Sequence, residues 1–227
     1  MTDVTFGAFG KIPSVGDFFR INAPPGFASV WDEWLQRCLV SGAHAYGAGW
    51  AALYMSVPIW RFCLTAGVAG QGAIMGVLMP SVDRVGRRFP LTLASPMETP
   101  GPAQLDHFAE DGLFARLEDL ALDALEDDMT REALETRLGT IAPPDLRGTA
   151  ALRRANGTLI LTQGDAGGVL PNLASGLLDS QFEQPSIWSA VIGGVPRLMV
   201  CDGLPTGTTS VGLFELAAPV WSEARPV

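Results

Sequence analysis

Residues 59–83 read IWRFCLTAGVAGQGAIMGVLMPSVD, and this stretch decides the fold. One formal charge, Arg61, is followed by 21 uncharged residues before Asp83. That run is long enough to cross a bilayer, which takes about 20 apolar residues. A membrane span is nevertheless rejected. Gly67, Gly70, Gln71, Gly72 and Pro80 interrupt the run, and no basic flank anchors it. The stretch predicts two strands around a Gly70-Gln71-Gly72 turn. Both are continuously apolar rather than alternating, which is the pattern of strands buried on both faces of a sheet. Such a sheet has to be covered by helices.

The helices are legible on either side. After Pro24-Pro25-Gly26, the apolar positions Phe27, Val30, Trp31, Trp34, Leu35, Cys38 and Leu39 repeat at helical spacing. Asp32 and Glu33 are placed in the first turns, where the helix dipole favours acids. Gly42 and Gly47 bracket the end. A second helical stripe runs through Leu105, Phe108, Leu113, Leu117, Leu120 and Ala124. Thr130 can cap a further helix carrying Leu134 and Leu138. Pro143-Pro144 closes this unit. Strands are predicted over 4–10, 59–66, 73–79, 90–95, 158–162, 187–192 and 197–201, with a short helix over 172–178. The chain end near Pro226 is expected to fray. Interleaved strand and helix patterns predict an α/β fold, a three-layer α/β/α sandwich in one domain over 1–227.

The 227 residues carry 15 basic and 24 acidic side chains, a net charge of −9, and 48% are hydrophobic. The chain is too apolar for a disordered tail. It is too acidic to neutralise phosphates along a nucleic acid. Residues 106–137 hold 11 acids against three Arg, a local charge of −8. Two readings fit this window: a solvated helix face, or an acidic docking face that steers a basic partner. The second places Glu118, Asp119 and Glu126 on the outer face. Cys38, Cys63 and Cys201 are odd in number and widely spaced, which suits reduced, buried thiols. No signal peptide opens the chain, so a cytoplasmic, reducing setting is expected.

Catalytic motifs fail on inspection. Gly7-Ala8-Phe9-Gly10-Lys11-Ile12 is one residue short of a phosphate loop and has Ile12 where a hydroxyl is needed. Ser175 lacks the glycines of a nucleophile elbow. His107 and Glu110 share a helix face, yet one His and one carboxylate do not close a metal site. The Gly-rich run with Asp165 reads as a tight turn. No cofactor is expected. Three Arg, Arg84, Arg87 and Arg88, fall within five residues. They could grip a phosphate or carboxylate, or form a loop held by Asp83.

Four stretches agree in order and spacing with one family: 9–18 (Phe9-Gly10-Lys11-Ile12-Pro13-Ser14-Val15-Gly16-Asp17-Phe18), Trp31-Asp32-Glu33-Trp34-Leu35, Pro58-Ile59-Trp60-Arg61-Phe62, and 79–91, which includes Asp83-Arg84-Val85-Gly86-Arg87-Arg88. The chain resembles the TagF (ImpM-like) proteins of bacterial type VI secretion over about residues 6–135, with residues 145–220 completing the sheet. The resemblance implies the three-layer fold. It also implies a non-enzymatic, cytoplasmic, post-translational repressor that binds a forkhead-associated (FHA) scaffold protein. It carries over no catalytic residues. For the loops, an ion-pair network among Lys11, Asp17, Asp83, Arg84 and Arg87 would staple the two together. The alternative is a polar face that recognises a partner or a phosphate, up to a small-ligand or phosphate-handling enzyme built on Lys11, Asp17, Asp83 and Arg84. Gly10 and Gly16 permit unusual backbone angles there. Trp31, Trp34 and Trp60 fall at core positions.

Overall fold

The computed structural model describes residues 4–97, 103–144, 148, 150–162 and 168–222. Among them, seven strands form one antiparallel sheet. Its order is β2 (Phe19–Ile21), β1 (Gly7–Gly10), β5 (Leu91–Met97), β4 (Ala73–Met79), β3 (Trp60–Leu64), β8 (Pro185–Ile192) and β9 (Val195–Asp202). The decisive stretch is the central hairpin of β3 and β4, paired from Trp60↔Leu78 to Leu64↔Ile74. All seven residues of β4 are buried.

Alternation sorts the side chains into two cores. Phe9, Trp60, Phe62, Leu64, Ile74, Leu78, Ala94 and Trp188 face one side. There they meet α1 (Phe27–Tyr46), α2 (Trp50–Met55) and α7 (Gly207–Phe214). Met75, Val77, Met79, Leu91 and Leu93 face the other side. There they meet α4 (Asp111–Asp123) and α5 (Arg131–Leu138), with α3 (Ala103–Ala109) beside them over β3. The fold is α/β, a sheet sandwiched between two helical layers. Each fully buried large side chain contributes roughly 1.5–3 kcal/mol relative to exposure.

The first core is aromatic. Trp31 contacts Phe27, Trp34, Phe62 and Trp188 with ring centroids 4.6–5.9 Å apart. Buried indole N–H groups need acceptors. Trp31 donates to Thr92 Oγ1, Trp34 to the carbonyl of Pro205 and Trp60 to that of Leu213, each at 2.8 Å. Gly42 lies inside α1 because Trp50 packs on it: a Cβ there would sit 2.3 Å from the indole.

Several details differ from expectation. The long helix expected from Leu105 to Ala124 breaks at Glu110 into α3 and α4. Asp32 and Glu33 lie beyond the first turn of α1 and accept from Gln36 and Arg37, four residues on, rather than serving the dipole. The strand expected at 158–162 becomes β7 (Thr158–Leu161). Among the described residues it pairs with β6 (Leu152–Ala155) alone, outside the main sheet. The helix expected over 172–178 is α6 (Val169–Asp179), packed on α3. Thr130 caps α5 as expected, accepting from the Ala133 amide at 3.1 Å. The turn at 164–167 and the chain end at 223–227 lie outside the described residues. No helix among the described residues is long and apolar enough to cross a membrane.

Candidate functional site

The two motif loops meet at the β1 end of the sheet, and Asp83 is the knot between them. Its side chain is fully enclosed. Oδ2 accepts from Lys11 Nζ at 2.9 Å and Arg87 Nε at 2.6 Å. Oδ1 accepts from the amides of Val85 (3.1 Å) and Arg87 (2.9 Å). Burial alone would raise the Asp83 pKa. Lys11 and the Arg87 and Val85 donors outweigh it and hold the carboxyl well below the usual range. Two contacts bridge to the first loop: Arg87 donates to the Gly16 carbonyl at 2.8 Å, and the Arg84 amide donates to Val15 at 3.3 Å. Gly10 is needed for a close approach, since a Cβ there would lie 2.1 Å from the Pro90 carbonyl at φ +136°. Gly16 is small for a different reason: the Arg84 guanidinium lies 2.9 Å from where its Cβ would be.

The loops are therefore stapled by Lys11, Asp83 and Arg87. Asp17, expected in the ion-pair network, is exposed and accepts from the amide of Phe18 at 2.8 Å. The side chains of Arg84 and Arg88 are exposed and make no ion pair among the described residues. The seat of the loop is equally firm. Tyr54 donates to the Ser81 carbonyl at 2.9 Å and accepts from its amide at 3.0 Å.

The acidic window is less uniform than its composition suggests. Glu118, expected on the outer face, turns to the sheet. It accepts from Arg61 of β3 at 2.7 and 2.8 Å, a two-point pair. Asp111 accepts from the same guanidinium, whose carbon lies 5.5 Å from the Phe114 centroid. The Glu118 hydrogen bond, more than burial opposes, raises the Arg61 pKa and fixes its charge. Asp106 is buried, and Asp123 pairs with Arg137. Asp119 and Glu126 remain on the exposed side.

A separate buried polar pair lies under α3. His107 Nε2 and Ser189 Oγ share a hydrogen bond of 2.9 Å. Burial, helped by nearby Arg61, pulls the His107 pKa down to about 3, so the ring is neutral. No group of three or more His, Cys, Asp or Glu among the described residues is placed to hold a metal ion. Cys38 is no reactive thiol: burial pushes it up to about 12. Burial likewise raises Cys63, and Cys201 to about 11.

Next to the staple lies a feature that periodicity does not announce. A groove of about 680 Å³ runs between α1 and the β1–β2 edge. Phe9, Phe18 and Phe89 form its apolar wall, with edge-to-face centroid distances of 4.7, 5.3 and 6.0 Å. Arg20 and Asp32 also line it. Phe18 is 39% exposed although its ring joins this cluster. The available signal was the phenylalanine at the end of each motif loop, Phe18 and Phe89, together with Phe9.

Comparison with known proteins agrees with this architecture. The crystal structure of PA0076 from Pseudomonas aeruginosa PAO1 superposes with a TM-score of 0.76 at 30% sequence identity. The match covers 98% of each chain. No curated protein matches the sequence. Residues 7–141 match the TagF N-terminal domain, described as type VI secretion system-associated, and they contain both stapled loops, the groove residues and the Arg61–Glu118 pair. The chain thus belongs to the TagF N-terminal domain family of type VI secretion system-associated proteins.

Proposed function

We propose that the protein is a non-enzymatic, cytoplasmic regulator that represses type VI secretion after translation by docking onto another protein, the FHA scaffold of that apparatus. The observation that carries this reading is how the loop charges are spent. Lys11, Asp83 and Arg87 neutralise one another and make the loops a rigid frame. That frame turns Arg84, Arg88 and Phe18 outward. Arginine beside an open aromatic ring is the composition of an interface anchor. A phosphate-handling enzyme built on Lys11, Asp17, Asp83 and Arg84 would need a free carboxylate and ammonium. Both oxygens of Asp83 and the Lys11 ammonium are already committed within the loops.

The test is a secretion assay in a strain lacking the protein, complemented with wild type, R88A, R84A or F18A. Wild type is expected to silence effector release and to co-precipitate the FHA scaffold. The three variants are expected to accumulate normally, release effector and lose the scaffold. Secretion unchanged by wild-type protein, or turnover of a substrate by purified material, would overturn the reading.

A further inference from the structure

The groove beside the staple has a definite chemical character. Its wall is three phenylalanine rings, one of them open to solvent. Positive charge is gathered around it. Arg20 lines the groove, Arg84 lies against Gly16 two residues before Phe18, and Arg88 immediately precedes Phe89. None of these three guanidinium groups makes a hydrogen bond or ion pair among the described residues.

Among the described residues most other cations are engaged, the exceptions being Arg153 and Arg154 on the separate β6–β7 hairpin, away from the groove. Lys11, Arg37, Arg61, Arg87 and Arg137 hold carboxylates, and Arg116, Arg131 and Arg197 hold carbonyls. In a chain of net charge −9, Arg20, Arg84 and Arg88 gather uncommitted positive charge at one end of the sheet, with Asp17 and Asp32 the acids beside them. The groove's own acid, Asp32, accepts from the neutral amide of Gln36 at 2.7 Å and keeps its charge, so an occupant's carboxylates have to lie on the arginine side, away from it. A strand cannot simply extend the sheet there, because Arg131 donates to the Arg20 carbonyl of β2 at 3.2 Å. An occupant has to be read by its side chains.

Resting on the docking function proposed above, we infer that this groove takes an acidic linear segment of the partner. An aromatic or branched aliphatic side chain seats on Phe9, Phe18 and Phe89, and flanking carboxylates meet Arg20, Arg84 and Arg88. Arginine clusters recognise acidic motifs through forked hydrogen bonds, and an apolar anchor supplies the burial that ion pairs alone lack. Attraction between the arginines and the segment makes the association salt-dependent.

The experiment is a fluorescence anisotropy titration of the full chain against labelled Asp-Glu-Phe-Asp-Glu. Asn-Gln-Phe-Asn-Gln and Asp-Glu-Ala-Asp-Glu serve as controls. Saturable binding is expected, about tenfold weaker for either control and for R20A, R88A or F18A, and weakened further by added salt. Thermal melts of the variants, unchanged from wild type, show that the losses are local. Equal binding of the neutral peptide, or no saturation at millimolar peptide, overturns the inference. So does equal competition by inorganic phosphate or by phosphatidylserine vesicles, which marks a general anion surface. Self-association that R20A abolishes also overturns it, because a second copy is then the occupant. If these peptide results fail while wild type still represses secretion, only the groove assignment falls. If wild type does not repress, the regulatory reading falls whatever the peptides do.

Discussion

The two faces of the sheet are closed by different chemistry. On the α1 side, Trp31, Trp34, Trp60, Phe62 and Trp188 fill the space between layers. On the α4 side, Met75, Val77, Leu93, Leu117 and Leu120 do so, and a single guanidinium from mid-strand clamps the helix. A tryptophan brings large apolar area and one donor. Once that donor finds its acceptor, the ring has one orientation. An aliphatic side chain packs with less direction, so the α4 side takes its orientation from charge instead. Arg61 reaches α4 at two acids about two turns apart on one face, Asp111 and Glu118. One face is ordered by shape and single hydrogen bonds, the other by electrostatics.

That contrast can be broken where it is strongest. Trp31 sits at the centre of the aromatic layer, so W31A is expected to cost about 3–5 kcal/mol by chemical denaturation. A loss below about 1 kcal/mol would show that the layer is loosely packed. On the charged face, E118A leaves Arg61 without its two-point partner and is expected to cost about 1–3 kcal/mol. The Glu118 side chain is 25% exposed, whereas that of Asp111 is 87% exposed. D111A should therefore cost less than about 1 kcal/mol. Equal effects of the two would refute the idea that burial, not proximity, sets the strength of the clamp.

Acid should separate the faces as well. The unfolded chain protonates His107 near pH 6.5, while the folded state holds it neutral down to about 3. Between those values the unfolded state binds more protons. Stability is therefore full above pH 6.5 and falls as pH drops through the window. The slope from this residue is at most about 1.4 kcal/mol per pH unit. H107Q is expected to flatten that part of the profile. An unchanged slope in denaturant titrations from pH 6.5 to 4.5 would remove His107 as the cause.

Much of this architecture was legible in the residues. The run from Ile59 to Asp83 announced a doubly covered hairpin, and the period from Phe27 to Leu39 announced the aromatic helix. Local signals carried both. The break at Glu110 was not legible, because the apolar stripe continues through it and the stripe was all that could be seen. β2 is three residues long, too short for any period to register. Long-range polar pairing was also hidden. Glu118 looks like one acid among eleven until Arg61, 57 residues earlier, is placed beneath it. Of the five residues expected in the staple, Lys11, Asp83 and Arg87 are joined in it, while Asp17 and Arg84 form no ion pair among the described residues. Asp17 was misplaced because adjacency in sequence does not say which way a turn projects a side chain.

The acceptors of two buried indoles bear on how this protein can be divided. Trp34 and Trp60 lie within the matched span of residues 7–141, but the carbonyls that receive their hydrogen atoms belong to Pro205 and Leu213. Severing the chain at residue 141 would remove both acceptors, uncover the indoles that Trp188, Leu213 and Phe214 help to bury, and strip β3 of its neighbour β8. The recognisable signature thus ends short of the contacts that complete its own aromatic layer, and an expression fragment cut at its border is expected to melt below the full chain.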